Sequence, residues 1–327
     1  MTPMPSVKII GMGRYLPRNK VLSTDLDAKL KLAAGSVQKK SGLISRHFAS
    51  TDETTSYMGA QAARIAVEKA QINLTDLDAI ISACGVGQQA IPCTAALIQQ
   101  QLGLESSGIA CFDVNSTCLS FITALDIASH LLAGGRFKRI LIVSSEIASV
   151  GLNWQDMETC TIFGDGAAAC VLEKSEGGER ILSAHHETHS IGANICKIDA
   201  GGTRLPSPTA EQSLFYMEGK KVFKLASKLL DSLMENLLKK AQISLNDIHW
   251  IIPHQASLLA MQHIQKRLKI PQEKYVSIYP HHGNQIAASI PTALCHLIDS
   301  QQLQRGQLVL LLGTGAGLAA GGLILEY

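Results

Sequence analysis

Residues 69–77 read KAQINLTDL, and residues 240–248 read KAQISLNDI. Each copy closes a helix-like stretch and leads into an apolar strand, AIISACGVG at 79–87 and WIIPHQAS at 250–257. Further on, SFITAL (Ser120–Leu125) matches SIPTAL (Ser289–Leu294), so the copies lie 171 and then 169 residues apart. A charged turn and a second strand follow each, FKRILIVSS at 137–145 and GQLVLLLGT at 306–314. Both copies end on small residues that run into a β-rich segment, GDGAAACVLEKS at 164–175 and GAGLAAGGLILEY at 315–327. A period of about 170 residues is too long for a solenoid repeat. It describes a duplicated α/β half, with strands alternating with helices and therefore mainly parallel sheets covered by helices. The halves are 1–175 and 176–327. The polar, Gly- and Pro-containing stretch 185–220 is the main insertion and is expected to be a surface loop or lid between them.

The 327-residue chain is 46% hydrophobic, which supplies a sizeable core and excludes a disordered chain. A net charge of +2 argues against a nucleic-acid binder but leaves room for a local basic patch facing an acidic partner. No apolar run approaches the roughly 20 residues of a membrane span. Met1 to Val7 lack the apolar stretch of a secretory leader, so a cytoplasmic location is expected. The eight cysteines (84, 93, 111, 118, 160, 170, 196, 295) include no CxxC pair, so neither a zinc knuckle nor a thioredoxin-type site is indicated.

In open α/β sheets, chemistry collects at the carboxyl ends of strands. Cys118 follows the expected strand 110–114 and starts a helix, with Asn115, Ser116 and Thr117 as capping-type residues. A thiol there feels the positive end of the helix dipole, which favours its thiolate. His254 ends the strand 250–252, and Asn284 follows an expected strand around 276–278. Taken singly, each has an ordinary structural explanation: a buried cysteine, a satisfied histidine, a turn asparagine. Together they come from strand ends of both halves, which would place a site at the seam. Neighbouring His281 and His282 lack the carboxylate or cysteine spacing of a metal site, and the cluster His185–His189 is not HExxH and suits a solvated loop. The turn Gly313–Gly317 lacks both P-loop and Rossmann spacing and suits close backbone approach to a substrate.

Cys118 in D-V-x-x-x-C, His254 in P-H-Q-A, Asn284 in H-G-N-x-x-x-A-S-I-P and the run Phe163–Ala167 (FGDGA) resemble the β-ketoacyl-ACP synthase III family of the thiolase superfamily. The resemblance spans essentially the whole chain. It implies the five-layered, internally duplicated thiolase fold, usually as a homodimer. It also implies that Cys118 carries an acyl group as a thioester. Backbone N–H groups of Cys118 and Ala316 would form the oxyanion hole. His254 and Asn284 would stabilise the enolate formed as a malonyl thioester loses carbon dioxide. Acyl carrier protein or coenzyme A thioesters are the implied partners, with no metal or redox cofactor.

Several positions depart from the family pattern. Ser36 stands where a Trp clamps the coenzyme A adenine, with the basic Lys40 nearby, and Met157 stands where an Arg completes the clamp. Leu259 occupies the place of a carrier-docking Arg, and Thr314 replaces an aromatic before the glycine turn. Lys40, Gly219, Ile91 and Thr314 are the substrate-binding candidates. These changes argue for a longer acyl chain or a protein-carried donor rather than acetyl-CoA. The sequence around Cys118 also resembles the head-to-head condensing enzymes of olefin synthesis, but Ile91 stands where those use a Glu base. Non-decarboxylative acyl–acyl condensation and a Cys-dependent acyltransferase are therefore the alternatives.

Overall fold

In the strand Arg139–Glu146, Ile140 and Ile142 join one buried cluster while Leu141 and Val143 join another. A strand buried on both faces needs a continuous apolar run, and helices must cover each side. The computed structural model describes residues 5–327; Met1–Met4, part of the stretch read against a leader, lie outside the described residues.

The first sheet contains β1 (Val7–Tyr15), β2 (Ala79–Ser82), β3 (Ala110–Asp113), β4 (Arg139–Glu146) and β5 (Gly166–Lys174), in the order β1-β5-β4-β2-β3. The second contains β6 (Arg180–Thr188), β7 (Trp250–Pro253), β8 (Leu308–Gly315) and β9 (Ala319–Glu326). From its β6 edge the order is β6-β9-β8-β7, the same succession as in the first sheet. The sheets are mixed rather than mainly parallel. Pairs β2–β3, β2–β4 and β7–β8 are parallel, while β1–β5, β4–β5, β8–β9 and β6–β9 are antiparallel. A short turn joins β8 to β9, and such a turn can only reverse the chain.

The expected strand around 276–278 is reduced to a single bridge, Ile251 to Tyr275, and the Val276 N–H donates to Ile251 O at 3.0 Å. Beyond it the Gln255 side chain takes over the pairing. Its Oε1 accepts from the N–H groups of Ile278 and Tyr279 at 3.0 and 3.1 Å, and its Nε2 donates to Val276 O at 3.2 Å.

Helices α1 (Thr55–Lys69) and α2 (Thr94–Gln101) cover the outer face of the first sheet, against Ile80, Leu141 and Val171. Helix α3 (Ser120–Ala133) lies between the sheets. Helices α4 (Gly219–Ala241) and α5 (Leu258–Arg267) cover the outer face of the second, against Ile251, Leu310 and Ile324. Helix α6 (Ser289–Asp299) joins α3 in the central layer, where Leu125, Ala128, Ile290 and Leu294 meet Ile81, Ile142, Ile252 and Leu311. The result is the five-layered α-β-α-β-α thiolase arrangement. Each fully buried Leu or Ile contributes roughly 1.5–3 kcal/mol by leaving water.

The opening repeat is a helix stop followed by a restart. Gln71 and Gln242 end α1 and α4 in the left-handed region, at φ 56° and 57°. Asp76 then accepts from the Asn73 N–H, and Asp247 from the Ser244 N–H, both at 2.8 Å. These capping contacts aim the chain into β2 and β7.

The stretch 185–220 is only partly a loop. Residues 185–188 belong to β6 and pair with Ala319–Gly322 of β9, so the histidine cluster is largely strand rather than solvated loop. Cys196–Lys197 and Tyr216–Met217 pair as a small ribbon, and α4 begins at Gly219. No helix among the described residues is long and apolar enough to cross a membrane.

Candidate active site

Two matching turns form the centre of the molecule. The 3-10 turn Thr117–Leu119 runs into α3, and the 3-10 turn Ile286–Ala288 runs into α6. In each, a helix-start serine accepts a backbone N–H across the turn: Ser120 Oγ from Ser116 and Ser289 Oγ from Gln285, both at 2.9 Å. Thr117 and Ile286 lie at φ 53° and 49°. A β-branched residue avoids this region, so each turn stores about 1–3 kcal/mol of strain held by its surroundings.

Cys118 sits in the 3-10 turn, two residues before the α-helix begins at Ser120, rather than in the helix's first turn. The helix-start position was expected to favour its thiolate. The folded site does the opposite. Enclosure of the thiol raises it well above the usual thiol range, Cys196 and Glu146 add to this, and the N–H groups of Cys118 and Ala316 pull the other way. Desolvation outweighs the turn's N–H groups. The resting group is a neutral thiol facing the two N–H groups expected to form the oxyanion hole. Gly315 makes that approach possible: a Cβ there would lie 2.5 Å from Thr117 Oγ1 and 3.2 Å from Ser116 O.

His254 follows β7, where its N–H donates to Leu312 O at 2.8 Å. Gly313 on β8 leaves it room, since a Cβ there would meet His254 Cβ at 2.7 Å. The ring is buried, which pulls it down to about 4, and Nδ1 has no partner among the described residues. At neutral pH it is an uncharged imidazole. Asn284 is anchored through its backbone, which donates to Ile162 O at 2.8 Å and accepts from the Gly164 N–H at 3.2 Å. Its Oδ1 accepts from the Ile286 N–H at 2.9 Å, leaving Nδ2 as the donor end, with Ala256 O at 3.3 Å. Phe163, which opens the FGDGA run, forms a parallel bridge with Asn284. Asp165 is buried and accepts from Ala49 N–H at 2.8 Å, Ser149 N–H at 2.9 Å and Ser149 Oγ at 2.6 Å, tying three loops together.

Cys118, His254 and Asn284 line one cavity of about 1890 Å³. Ala316 and Thr314 line it from β8 and the turn after it, Gly219 from the start of α4, and Lys40 with Lys39 from the mouth. Ile91 does not line it. It is 85% exposed at the tip of a loop whose Gln89 and Ala90 reach the cavity instead. The sequence reading missed the apolar walls (Phe215, Met217, Leu230), a second thiol at Cys196, and the buried Glu146. A signal for Glu146 existed: a lone acid at the end of the apolar run RILIVSSE. Among the described residues no group of three or more His, Cys, Asp and Glu is placed to hold a metal. His282 instead holds Ile278 O through Nδ1 at 2.9 Å.

Family models for 3-oxoacyl-[acyl-carrier-protein] synthase III match residues 112–190, and for its C-terminal part residues 238–327. A beta-ketoacyl-[acyl-carrier-protein] synthase III from Syntrophomonas wolfei is 35% identical over 325 residues, covering 98% of this chain and 97% of the relative. The chain belongs to the 3-oxoacyl-ACP synthase III family. It is accordingly a condensing enzyme of the acyltransferase class. The crystal structure of the 3-oxoacyl-[acyl-carrier-protein] synthase III from Aquifex aeolicus superposes with a TM-score of 0.90 at 33% identity, over 98% of this chain and 100% of that one. Xanthomonas campestris OleA shares the fold at a TM-score of 0.88 and 21% identity, covering 99% of each chain.

Proposed function

We propose that this synthase III-family enzyme loads an acyl group on Cys118 and extends it by decarboxylative Claisen condensation with a malonyl thioester. The observation that carries the reading is the convergence of Cys118 from the first half, divided at residue 175, with His254 and Asn284 from the second, in one apolar-walled cavity. The Cys118 sulfur attacks the donor carbonyl, the carbonyl oxygen takes the negative charge between the Cys118 and Ala316 N–H groups, and as the carbonyl re-forms the donor sulfur leaves as a thiol carrying the proton that Cys118 gave up. The malonyl thioester then loses carbon dioxide, and the electron pair of the broken bond forms an enolate. A neutral His254 and the Asn284 amide donate to that oxygen. The carbanion attacks the Cys118 thioester, the carbon–sulfur bond breaks to release the 3-oxoacyl product, and the Cys118 thiolate takes a proton from water to return to the thiol. The steps call on no metal or redox cofactor. Ile91 offers no base, which favours decarboxylation over direct acyl–acyl condensation.

Lys39, Lys40, Lys197 and Lys220 line the cavity and suit the phosphate of an acyl carrier protein arm or of coenzyme A. Lys40, Gly219 and Thr314 contact the incoming chain in this reading, and the volume favours a long acyl group. A homodimer is supported by the exposed Ile91, Val150 and Ile191 (85%, 78% and 84%) and by β3, whose outer edge is unpaired among the described residues. All eight cysteines are free thiols, which fits a cytoplasmic setting.

Incubation with acyl-CoA and acyl-ACP donors, followed by intact-mass analysis, is expected to give one acyl adduct that Cys118→Ala abolishes. Adduct retained by that variant, or wild type unlabelled by every donor, overturns the reading. Adding malonyl-CoA or malonyl-ACP then yields the 3-oxo product and carbon dioxide.

A further inference from the structure

Glu146 ends β4 with no exposed surface. Its carboxyl accepts from two backbone N–H groups, Gly85 on one oxygen and Val86 on the other at 3.4 Å, and the Ala287 N–H favours its charged form. The duplication shows what this position is. The Ala83 N–H donates to Val143 O at 2.7 Å, as the His254 N–H donates to Leu312 O at 2.8 Å, so β4 and β8 correspond and Glu146 matches Gly315. By the same correspondence Ala287, second residue of its strained turn, matches Cys118. In the first turn the position opposite Cys118 carries no side chain, and a Cβ on Gly315 would lie 2.5 Å from Thr117 Oγ1 and 3.2 Å from Ser116 O. In the second turn the Glu146 carboxyl takes the equivalent place, and the Ala287 N–H acts on it from the turn.

We propose that Glu146 is a positioning residue for condensation: its carboxyl plugs the second half's counterpart of the acyl-binding hole and locks two segments of the active site together. One segment is the loop Gly85–Val86. A Cβ on Gly85 would lie 3.4 Å from the Thr117 carbonyl carbon and 2.7 Å from Ile286 Cγ2, so this loop is wedged between the two turns. Asn115 Nδ2 donates to Gly85 O at 3.0 Å from the Cys118 side. The other segment is the turn Ile286–Ala288, whose first N–H sets the orientation of the Asn284 amide. Glu146 thus holds the Cys118 turn and the Asn284 turn, from opposite halves, at a set spacing without touching substrate. The plug also leaves the duplicated fold with one acyl site instead of two. The inference rests on the proposed roles of Cys118 and Asn284.

The test compares wild type, Glu146→Gln and Glu146→Asp in acyl loading by intact mass and in steady-state condensation, with near-ultraviolet circular dichroism as the check on folding. Glu146→Gln keeps the size but turns an N–H donor toward backbone N–H groups. It is expected to lower kcat about 100-fold, the effect of a misplacement near 1 Å. The donor KM should stay within about twofold, because the apolar walls Phe215, Met217 and Leu230 lie outside the segments Glu146 holds. Glu146→Asp keeps both acceptor oxygens on a shorter stem, and its kcat should fall between the two; it carries the test by itself if the Gln variant fails to fold. Wild-type kcat in either variant overturns the inference, and so does a rise in KM that accounts for the loss. A labelled wild type with unaffected variants sinks this inference alone, whereas an unlabelled wild type sinks the Cys118 reading with it.

Discussion

An unfolded chain protonates His254 near the ordinary value of 6.5, whereas the folded chain resists until about 4, because burial penalises the charged ring. Between those values the unfolded state binds more protons, so stability is lost as pH falls through that window and is recovered above it. Urea midpoints of wild type and His254→Gln, taken at pH 7 and pH 5, isolate the effect. Wild type should lose more stability than the variant over that step, and equal losses would contradict the assignment. Glu146 and Asp165 shift the other way, pushed up by burial to about 8 and about 6, but both are present in each protein and cancel in the difference. Gly315→Ala probes the Cys118 turn from the opposite side. A methyl group 2.5 Å from Thr117 Oγ1 must displace the turn, and acyl loading of Cys118 should slow by about 100-fold. A wild-type loading rate in quench-flow would show that the turn yields freely.

The elements were the most legible part of the chain. The KAQ…L-x-D repeat encodes a left-handed helix stop, a capping contact and a strand entry, all within nine residues, and each appears twice in the structure. Asp76→Ala and Asp247→Ala should each cost about 1 kcal/mol in denaturant unfolding. The losses should add in the double variant, since the caps serve opposite outer layers. Clear non-additivity would mean that the repeats are coupled through the core. Elements whose pairing depends on distant groups were less legible. The expected strand at 276–278 has strand-like residues, but the Gln255 side chain occupies the hydrogen bonds a ladder would use. The register that makes 185–188 a strand is set by β9, more than 130 residues later in the chain.

At the scale of the whole molecule, the proposed dimer would cover the exposed Ile91, Val150 and Ile191. Ile91→Asp is expected to shift a dimer toward monomer in sedimentation velocity and to lower condensation activity with it. A wild type that sediments as a monomer at assay concentration removes the basis for the dimer. What the sequence by itself determined is local or repetitive: the α/β alternation, the duplication, the helix stops, and the motifs that single out Cys118, His254 and Asn284. Local hydrogen bonds and apolar periodicity act over a few residues, so they can be read in order along the chain. The tertiary structure alone decided the mixed pairing of the sheets, the neutral state of Cys118 and His254, the walls of the cavity, and the place of Glu146. Those depend on desolvation and on contacts between groups roughly 60 to 200 residues apart, which exist only once the two halves have packed around their shared central helices.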